Sequence, residues 1–168
     1  MDKVARVVGL GYPGGPKIDK AAREGDKRAI EFKRVYLEDG SYDFSFSGLK
    51  TQVLNYINNE RQAGREINVP DLAASFQESI MEVIADKSIA AAVEYDSNKV
   101  VVAGGVAANS RLRELLEHKG AEKGIEILKP AQILCTDNGA MIACSAYYQM
   151  KKGEFADMSL DACPGLEF

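Results

Sequence analysis

The sequence predicts an α/β fold that is mostly helical and is built around a small parallel sheet. A β-branched run at residues 100–102 ends at Gly104-Gly105 and is followed by an amphipathic segment, the pattern of a buried strand, a tight turn and a helix. A second apolar run at residues 125–128 closes a βαβ unit, whose two strands should be parallel. Apolar residues between Pro70 and Val93 recur about every four positions, which predicts one long core helix.

The start of the chain predicts two short helices separated by a glycine- and proline-rich turn. Residues 2–9 form an apolar helical pattern, and its abrupt start indicates a chain that begins inside a larger element. Gly11 to Pro16 contains three glycines and two prolines, so we interpret it as either an ordinary linker or a rigid loop that something approaches closely. A short helix through Ile18 should then end near Gly25.

An aromatic stretch follows. The alternation of residues 43–47 predicts a short extended piece in which Phe44 and Phe46 belong to the core, and a platform that stacks a nucleobase is the alternative. Ser47 is the expected N-cap of a helix that runs through Leu49 and Ile57. Lys50 in its first turn opposes the helix dipole, so it is either mildly unfavourable or directed at an anion.

The last third contains two predicted helix starts. Asn109 should cap the helix after Gly104-Gly105, and the turn before it could expose N–H groups and positive dipole to a phosphate. An ordinary tight turn explains the same pattern equally well. Thr136 or Asp137 should cap a final helix, and the Asp137 carboxylate could alternatively point at a cation. Residues 153–168 predict irregular structure.

Composition limits the possible functions. The chain has 168 residues, 46% of them apolar and 27% charged, as in one globular domain or one lobe of a larger protein. A net charge of −4 argues against a stand-alone nucleic-acid binder. Three cysteines (Cys135, Cys144, Cys163) without a secretory signal fit reduced thiols in the cytoplasm, and each is expected to pack as a small apolar residue. With His118 as its single histidine, the chain contains neither a Ser-His-Asp triad nor a multi-histidine metal site.

Five ordered segments together resemble one family. They are Gly11-Tyr12-Pro13-Gly14-Gly15-Pro16, Asp43-Phe44-Ser45-Phe46-Ser47-Gly48-Leu49-Lys50-Thr51, Ala74-Ser75-Phe76-Gln77, Gly104-Gly105-Val106-Ala107-Ala108-Asn109 and Cys135-Thr136-Asp137-Asn138-Gly139-Ala140-Met141-Ile142-Ala143. Nearly the whole chain resembles the C-terminal half of the TsaD (Gcp) family of tRNA threonylcarbamoyl transferases. The resemblance implies one domain, residues 1–168, that is the C-terminal lobe of an actin-like, ribonuclease-H-like ATPase fold with a helical insertion, without its N-terminal lobe.

The resemblance also implies a reaction and its residues. The intact enzyme would transfer a threonylcarbamoyl group from threonylcarbamoyl-adenylate to N6 of adenosine 37 in tRNAs that read codons beginning with A. Asp137 matches the carboxylate that binds an iron or zinc ion. The positions that match adenylate-binding residues, or that shape the same pocket, are Asp2, Gly15, Asp19, Gly104, Gly105 and Asn109.

The chain departs from the family pattern in one important respect. The family's other metal ligands are two histidines, four residues apart, in the N-terminal half, together with a glycine-rich substrate loop, and His118 matches none of these. We therefore expect the chain alone to retain little or no metal and to have no transferase activity.

Two further interpretations of the function and one assembly have to be considered. The chain could be a docking or regulatory module for the family's partner proteins, an actin-like paralogue and a P-loop ATPase. The older glycoprotease label for the family has no support, because the sequence has no HExxH helix. A sheet without its remaining strands would leave an uncovered edge and apolar face, which predicts a homodimer or larger oligomer.

Overall fold

The computed structural model describes residues 1–37 and 40–162. Six α-helices and two strands were assigned in this part of the chain, and their order confirms the predicted fold class, a mostly helical α/β lobe with a small parallel sheet. The helices are α1 (Asp2–Val7), α2 (Gly14–Ala22), α3 (Leu49–Gln62), α4 (Val69–Glu94), α5 (Ser110–Lys123) and α6 (Gly139–Lys152). The strands are β1 (Lys99–Val101) and β2 (Glu126–Leu128).

The chain divides into two compact units, Met1–Cys135 and Thr136–Phe168. The first unit contains α1 to α5 and the sheet, and the second contains α6. The expectation that residues 1–168 form a single domain stays a prediction. None of the described helices is long and apolar enough to cross a membrane.

The helix α4 organises the first unit. Asn68 caps it by accepting a hydrogen bond from the Asp71 N–H, and Pro70 lies in its first turn, where a missing N–H costs nothing. This helix of 26 residues contributes side chains to two apolar clusters. Near its start, Leu72 and Phe76 pack with residues of α1, α2 and α3, and further along, Met81 and Ile89 pack with α5 and the sheet.

The sheet consists of two parallel strands joined by α5, as predicted. Lys99 pairs with Glu126 and Val101 with Leu128. The expectation of a buried strand is wrong, however, because Val101 is 73% exposed. Only one face of β1 and β2 is covered by helices of this unit, so alternate side chains of each strand face outward.

Two helix starts differ from prediction. The N-cap of α3 is Gly48 rather than Ser47, and no side chain caps that helix. The N-cap of α6 is Asn138, whose side chain accepts from the N–H groups of Ala140 and Met141, so neither Thr136 nor Asp137 has that role. Both predictions were wrong by one or two positions, since several competent capping residues adjoin each start.

The described residues of the aromatic stretch, 31–37 and 40–46, form no helix or strand and are mostly exposed. Phe32 is buried in the first apolar cluster, but Phe44 and Phe46 are 47% and 36% exposed, so their assignment to the core is wrong. Their rings stack with centroids 6.1 Å apart. Cys135 is buried, as expected for a packing residue, whereas Cys144 is exposed, and Cys163 lies outside the described residues.

Candidate functional site

Asp19 is buried on the inner face of α2, beside the start of α5. Its Oδ1 accepts hydrogen bonds from the Ser110 N–H at 3.0 Å and from the Ser110 hydroxyl at 2.7 Å. Its Oδ2 accepts from Arg23 at 2.9 Å, one turn along the same helix. The carboxylate therefore occupies the positive end of α5 and joins two segments that are 91 residues apart in sequence.

Asn109 is the N-cap of α5, as predicted. Its Oδ1 accepts from the Leu112 N–H at 3.0 Å, and its Nδ2 donates to Oε1 of Gln77 on α4 at 2.8 Å. The side chain is buried with Gln77 beneath α5. The Ser110 N–H is bound to Asp19 and the Leu112 N–H to Asn109, so two of the first-turn amides already have partners. The predicted phosphate site at this helix end stays a prediction.

The double glycine lies just before this cap. Gly104 has a φ of +87°, a backbone conformation that side chains rarely adopt, and residues Gly105–Ala108 form one turn of 3₁₀ helix that leads to Asn109. A side chain added at Gly104 or Gly105 would contact nothing within 4 Å. The two glycines thus present open backbone, which a ligand could approach closely.

The side chain of Arg113 holds this turn in place through hydrogen bonds. Its guanidinium donates to the carbonyl of Ala107 at 2.5 Å, to the carbonyl of Pro130 at 2.8 Å and to Sγ of Cys135 at 3.1 Å. The 3₁₀ turn is therefore held in place by a charge-assisted bond, which is stronger than a neutral one.

Asp2 and Gly15 lie at the opposite end of α2. Asp2 Oδ1 accepts from the Gly14 N–H at 2.7 Å, which ties α1 to the first turn of α2. The glycine that allows close approach within this chain is Gly14, because a Cβ there would lie 2.5 Å from the Asp2 Cα. Gly15 has room, with Met1 Sδ 3.9 Å from the position of a Cβ, and it lies one turn before Asp19 on the same face of α2.

A cavity of about 190 Å³ adjoins the Asp19–Ser110 contact. Its lining includes Gln77 and Glu78 of α4 and Ser110, Arg111 and Glu114 of α5. Arg111 donates two hydrogen bonds to Glu78, at 2.5 and 2.7 Å, and its side chain is 15% exposed. The bond to Glu78 raises the pKa of Arg111 above its already high range, while Arg111 lowers the pKa of Glu114.

Asp137 belongs to the second unit and is exposed in the turn before α6. Within residues 1–37 and 40–162, no group of three His, Cys, Asp or Glu side chains could hold a metal ion. His118, 73% exposed on α5, lies near Glu122. The described residues therefore supply one carboxylate and do not by themselves fit the implied metal.

The comparisons with known proteins identify the family. The family model for tRNA N6-adenosine threonylcarbamoyltransferase (TsaD) matches residues 1–144. The chain belongs to the TsaD family. Relatives with the same description are 53% identical over 166 residues in Moorella thermoacetica, 52% over 167 in Clostridium botulinum and 52% over 166 in Clostridium perfringens.

The alignments cover 99% of this chain but only 48–49% of each of these TsaD relatives. The chain thus spans about half the length of the curated relatives it matches. The residues that the sequence resemblance assigned to the TsaD adenylate site fall in the first unit, and Asp137 falls in the second.

Sequence reasoning missed the side chains of α4 that support this site. Gln77 and Glu78 lie in the helix that was interpreted as core without chemistry, yet they hold Asn109 and Arg111. A signal was available, because three adjacent polar residues, Gln77-Glu78-Ser79, interrupt the apolar pattern after Phe76. Buried polar side chains on a core helix require partners, so their positions pointed to a second polar segment.

Proposed function

We propose that this chain forms the adenylate-binding half of a tRNA N6-adenosine threonylcarbamoyltransferase of the cytoplasm. The enzyme would transfer the threonylcarbamoyl group from threonylcarbamoyl-adenylate to N6 of adenosine 37 in tRNAs that read codons beginning with A. In that step the N6–C bond forms, the bond between the carbamoyl carbon and the phosphate oxygen breaks, AMP leaves and N6 loses a proton.

The single observation that supports this proposal is the polar network at the start of α5. Asp19 is bound to Ser110 and Asn109 to Gln77 by hydrogen bonds of 2.7–3.0 Å, Ser110 follows Asn109 in the chain, and Asp19, Asn109 and Gln77 are buried. A rigid, buried set of acceptors and donors recognises a polar ligand at low entropic cost. A carboxylate accepts bonds from ribose hydroxyls, and an asparagine N–H donates to a base or phosphate oxygen or a ring nitrogen.

The open backbone at Gly104 and Gly105 completes the proposal for the nucleotide. Without a Cβ, a phosphate or sugar can contact the main chain directly. Asp2 and Gly15, at the start of α2, would contribute the remaining contacts. The donor's leaving group, AMP, is therefore the part of the substrate that this chain would bind.

The metal of the intact enzyme, iron or zinc, would take Asp137 as one ligand. Carboxylate oxygen binds either ion, but one ligand does not form a site, so the others would come from outside residues 1–168. We accordingly expect the chain alone to retain little metal and to be inactive as a transferase.

Complementation tests this function. The chain is co-expressed with the N-terminal half of the Moorella thermoacetica relative, and threonylcarbamoyladenosine in tRNA is measured after addition of threonylcarbamoyl-adenylate. Modification by the pair, but by neither half alone, is expected. Asp19→Ala should abolish it, whereas Lys20→Ala, an exposed neighbour on α2, should not. A stable pair that binds donor and tRNA without modifying the tRNA would contradict the proposal.

A second candidate function is a docking module for partner proteins, the actin-like paralogue or the P-loop ATPase. The observation in its favour is the exposure of large apolar side chains on one part of the first unit. Val101, Leu128 and Ile133 are 73%, 39% and 82% exposed. Stimulation of an intact relative's activity by the added chain, without any requirement for Asp19, would support this function instead.

A further inference from the structure

Gln77 is an unusual residue for its position in the fold. It lies in the first half of α4, between the residues that pack in the two apolar clusters, and is only 4% exposed. Burying an amide without a hydrogen bond is unfavourable, so such a residue needs a partner. Its partner is the side chain of Asn109, at 2.8 Å.

The two amides fix each other's orientation. Only an oxygen can accept from the Leu112 N–H, so Asn109 must place Oδ1 on that amide and turn Nδ2 toward α4. Gln77 in turn presents Oε1 to that Nδ2. Of the two Nδ2 hydrogens, one is given to Gln77, and the direction of the second is then fixed by the planar amide.

The neighbouring residue is held in the same way. Ser110 is bound through its N–H and its hydroxyl to Asp19, so the start of α5 is anchored to α2 on one side and to α4 on the other. These hydrogen bonds restrict both the backbone and the side chain of Asn109. An amide fixed by two partners recognises an acceptor with more discrimination than a free surface amide.

We propose that Gln77 is a positioning residue of the adenylate site, which holds the second Nδ2 hydrogen of Asn109 toward an oxygen or ring-nitrogen acceptor of the nucleotide. This inference rests on the proposed function. Gln77 acts through Asn109 and needs no contact with the ligand. The expected consequence is that the acceptor at position 77, rather than the amide as such, determines nucleotide affinity.

Three variants separate positioning from packing. Gln77→Met keeps the length of the side chain but removes the acceptor, and Gln77→Glu restores an acceptor for Nδ2. Ser79→Ala is the matched control, because Ser79 is 2% exposed on the same helix and its hydroxyl bonds only to the Phe76 carbonyl at 2.8 Å. Thermal unfolding of each variant, followed by circular dichroism, measures the purely structural effect.

The first measurement is hydrogen exchange of the Asn109 side-chain amide in ¹⁵N spectra of the 168-residue chain. Its resonances are assigned by their loss in Asn109→Ser, which keeps an oxygen for the Leu112 N–H. Gln77→Met should expose the Nδ2 hydrogens and speed their exchange about tenfold, as expected for a lost hydrogen bond of about 1.4 kcal/mol. Gln77→Glu and Ser79→Ala should keep the wild-type rate.

The second measurement is the affinity for AMP, titrated into the same samples at millimolar concentration. Gln77→Met and Asn109→Ser should each weaken binding about tenfold, the equivalent of one hydrogen bond. Gln77→Glu should recover most of the affinity, and Ser79→Ala should stay within about twofold. If Gln77→Met does not fold, Asn109→Ser against Ser79→Ala still tests whether the Nδ2 donor matters.

The outcomes distinguish the two proposals. Wild-type chain that binds no AMP would refute the nucleotide site itself, and the inference with it. Wild-type binding that Gln77→Met leaves unchanged would refute only the role of Gln77. Equal weakening by Gln77→Met, Gln77→Glu and Ser79→Ala would show that packing in α4, not the acceptor, matters.

Discussion

Asp19 shows how a single residue can change the meaning of a sequence motif. A glycine turn at a helix start suggests an anion site, but the anion at the start of α5 is the Asp19 carboxylate itself, bound to Ser110. Its negative charge interacts favourably with the positive end of the helix dipole, and its oxygen accepts a hydrogen bond from a backbone N–H. The nucleotide proposed here would therefore meet a carboxylate and an amide, together with the open backbone at Gly104, rather than an empty helix end.

The adjacent glycines Gly14 and Gly15 should respond very differently to alanine. A Cβ at Gly14 would lie 2.5 Å from the Asp2 Cα and 2.9 Å from the Ala5 Cβ, so α1 and α2 would have to move apart. We expect Gly14→Ala to lower the free energy of unfolding by about 1–3 kcal/mol. Gly15→Ala has room, and the reduced freedom of the unfolded chain should leave stability unchanged or raised by up to about 1 kcal/mol.

Urea unfolding followed by circular dichroism measures both variants, and each serves as the control for the other. Equal effects of the two substitutions would contradict the close packing of α1 on α2. Gly15→Ala should fold normally. It should nevertheless bind AMP more weakly, because Gly15 is one of the positions that the resemblance assigns to adenylate contact.

The helix α4 connects the apolar core with the polar site. Side chains toward its start pack in the first apolar cluster, and side chains toward its end pack in the second. Gln77 and Glu78 lie between these two sets and contact the start of α5. Among the described residues that are not exposed, every fully buried side-chain nitrogen or oxygen has a partner. Loss of Glu78 would leave the Arg111 charge without its main partner in a nearly buried position, which explains why this pair is built with two hydrogen bonds.

Tyr36 and Tyr42, which precede α3 in the sequence, donate hydrogen bonds to carboxylates of α4. Both should make the free energy of unfolding depend on pH in the alkaline range. The pKa of Tyr36 lies above its usual range, mainly because of partial burial and then because its hydroxyl donates to Asp86 at 2.7 Å. The hydrogen bond from Tyr42 to Glu94 raises the pKa of Tyr42 to about 12. An unfolded tyrosine ionises near pH 10, so the contribution of both groups is complete below about pH 10 and is lost as the pH rises through the folded pKa values.

We therefore expect the free energy of unfolding to fall more steeply above about pH 10 in the wild type than in the double variant Tyr36→Phe/Tyr42→Phe. Tyr12→Phe, at a position 75% exposed, is the control and should follow the wild type. The bond to Asp86 also raises the pKa of Lys119, so this residue lowers the free energy of unfolding at alkaline pH in all three proteins. Parallel curves for the wild type and the double variant would contradict the anchoring of this segment.

The elements were largely predictable from the sequence because their patterns are local. The period of α4 and the cap Asn109 both follow from side chains within a few residues. The misassigned features depend on tertiary context. Phe44 and Val101 have the residue types of a core, yet they are 47% and 73% exposed, and the partners of Gln77 and Asp19 lie 32 and 91 residues away.

The first unit leaves an apolar surface beside a sheet of two strands, both of which are edges. Val101 and Leu128 are opposite each other in the register and are both exposed, and Ile133 is 82% exposed. Contiguous apolar side chains next to unpaired strand edges favour association. The chain spans about half of its relatives' length, so in the intact protein other residues could cover this surface. For the chain alone, we propose a second copy.

Val101→Lys tests this assembly. A charge on the exposed face of β1 would have to be buried in the interface, so we expect the wild-type chain to form dimers or larger oligomers with rising concentration and Val101→Lys to shift this equilibrium toward the monomer. Val93→Lys is the matched control, a valine 54% exposed near the end of α4, and should associate like the wild type. Both are surface substitutions, which change the free energy of unfolding by about 0.5 kcal/mol or less. Size-exclusion chromatography with light scattering measures the mass. A wild-type chain that stays monomeric at high concentration, or equal effects of the two lysines, would show that this surface does not pair.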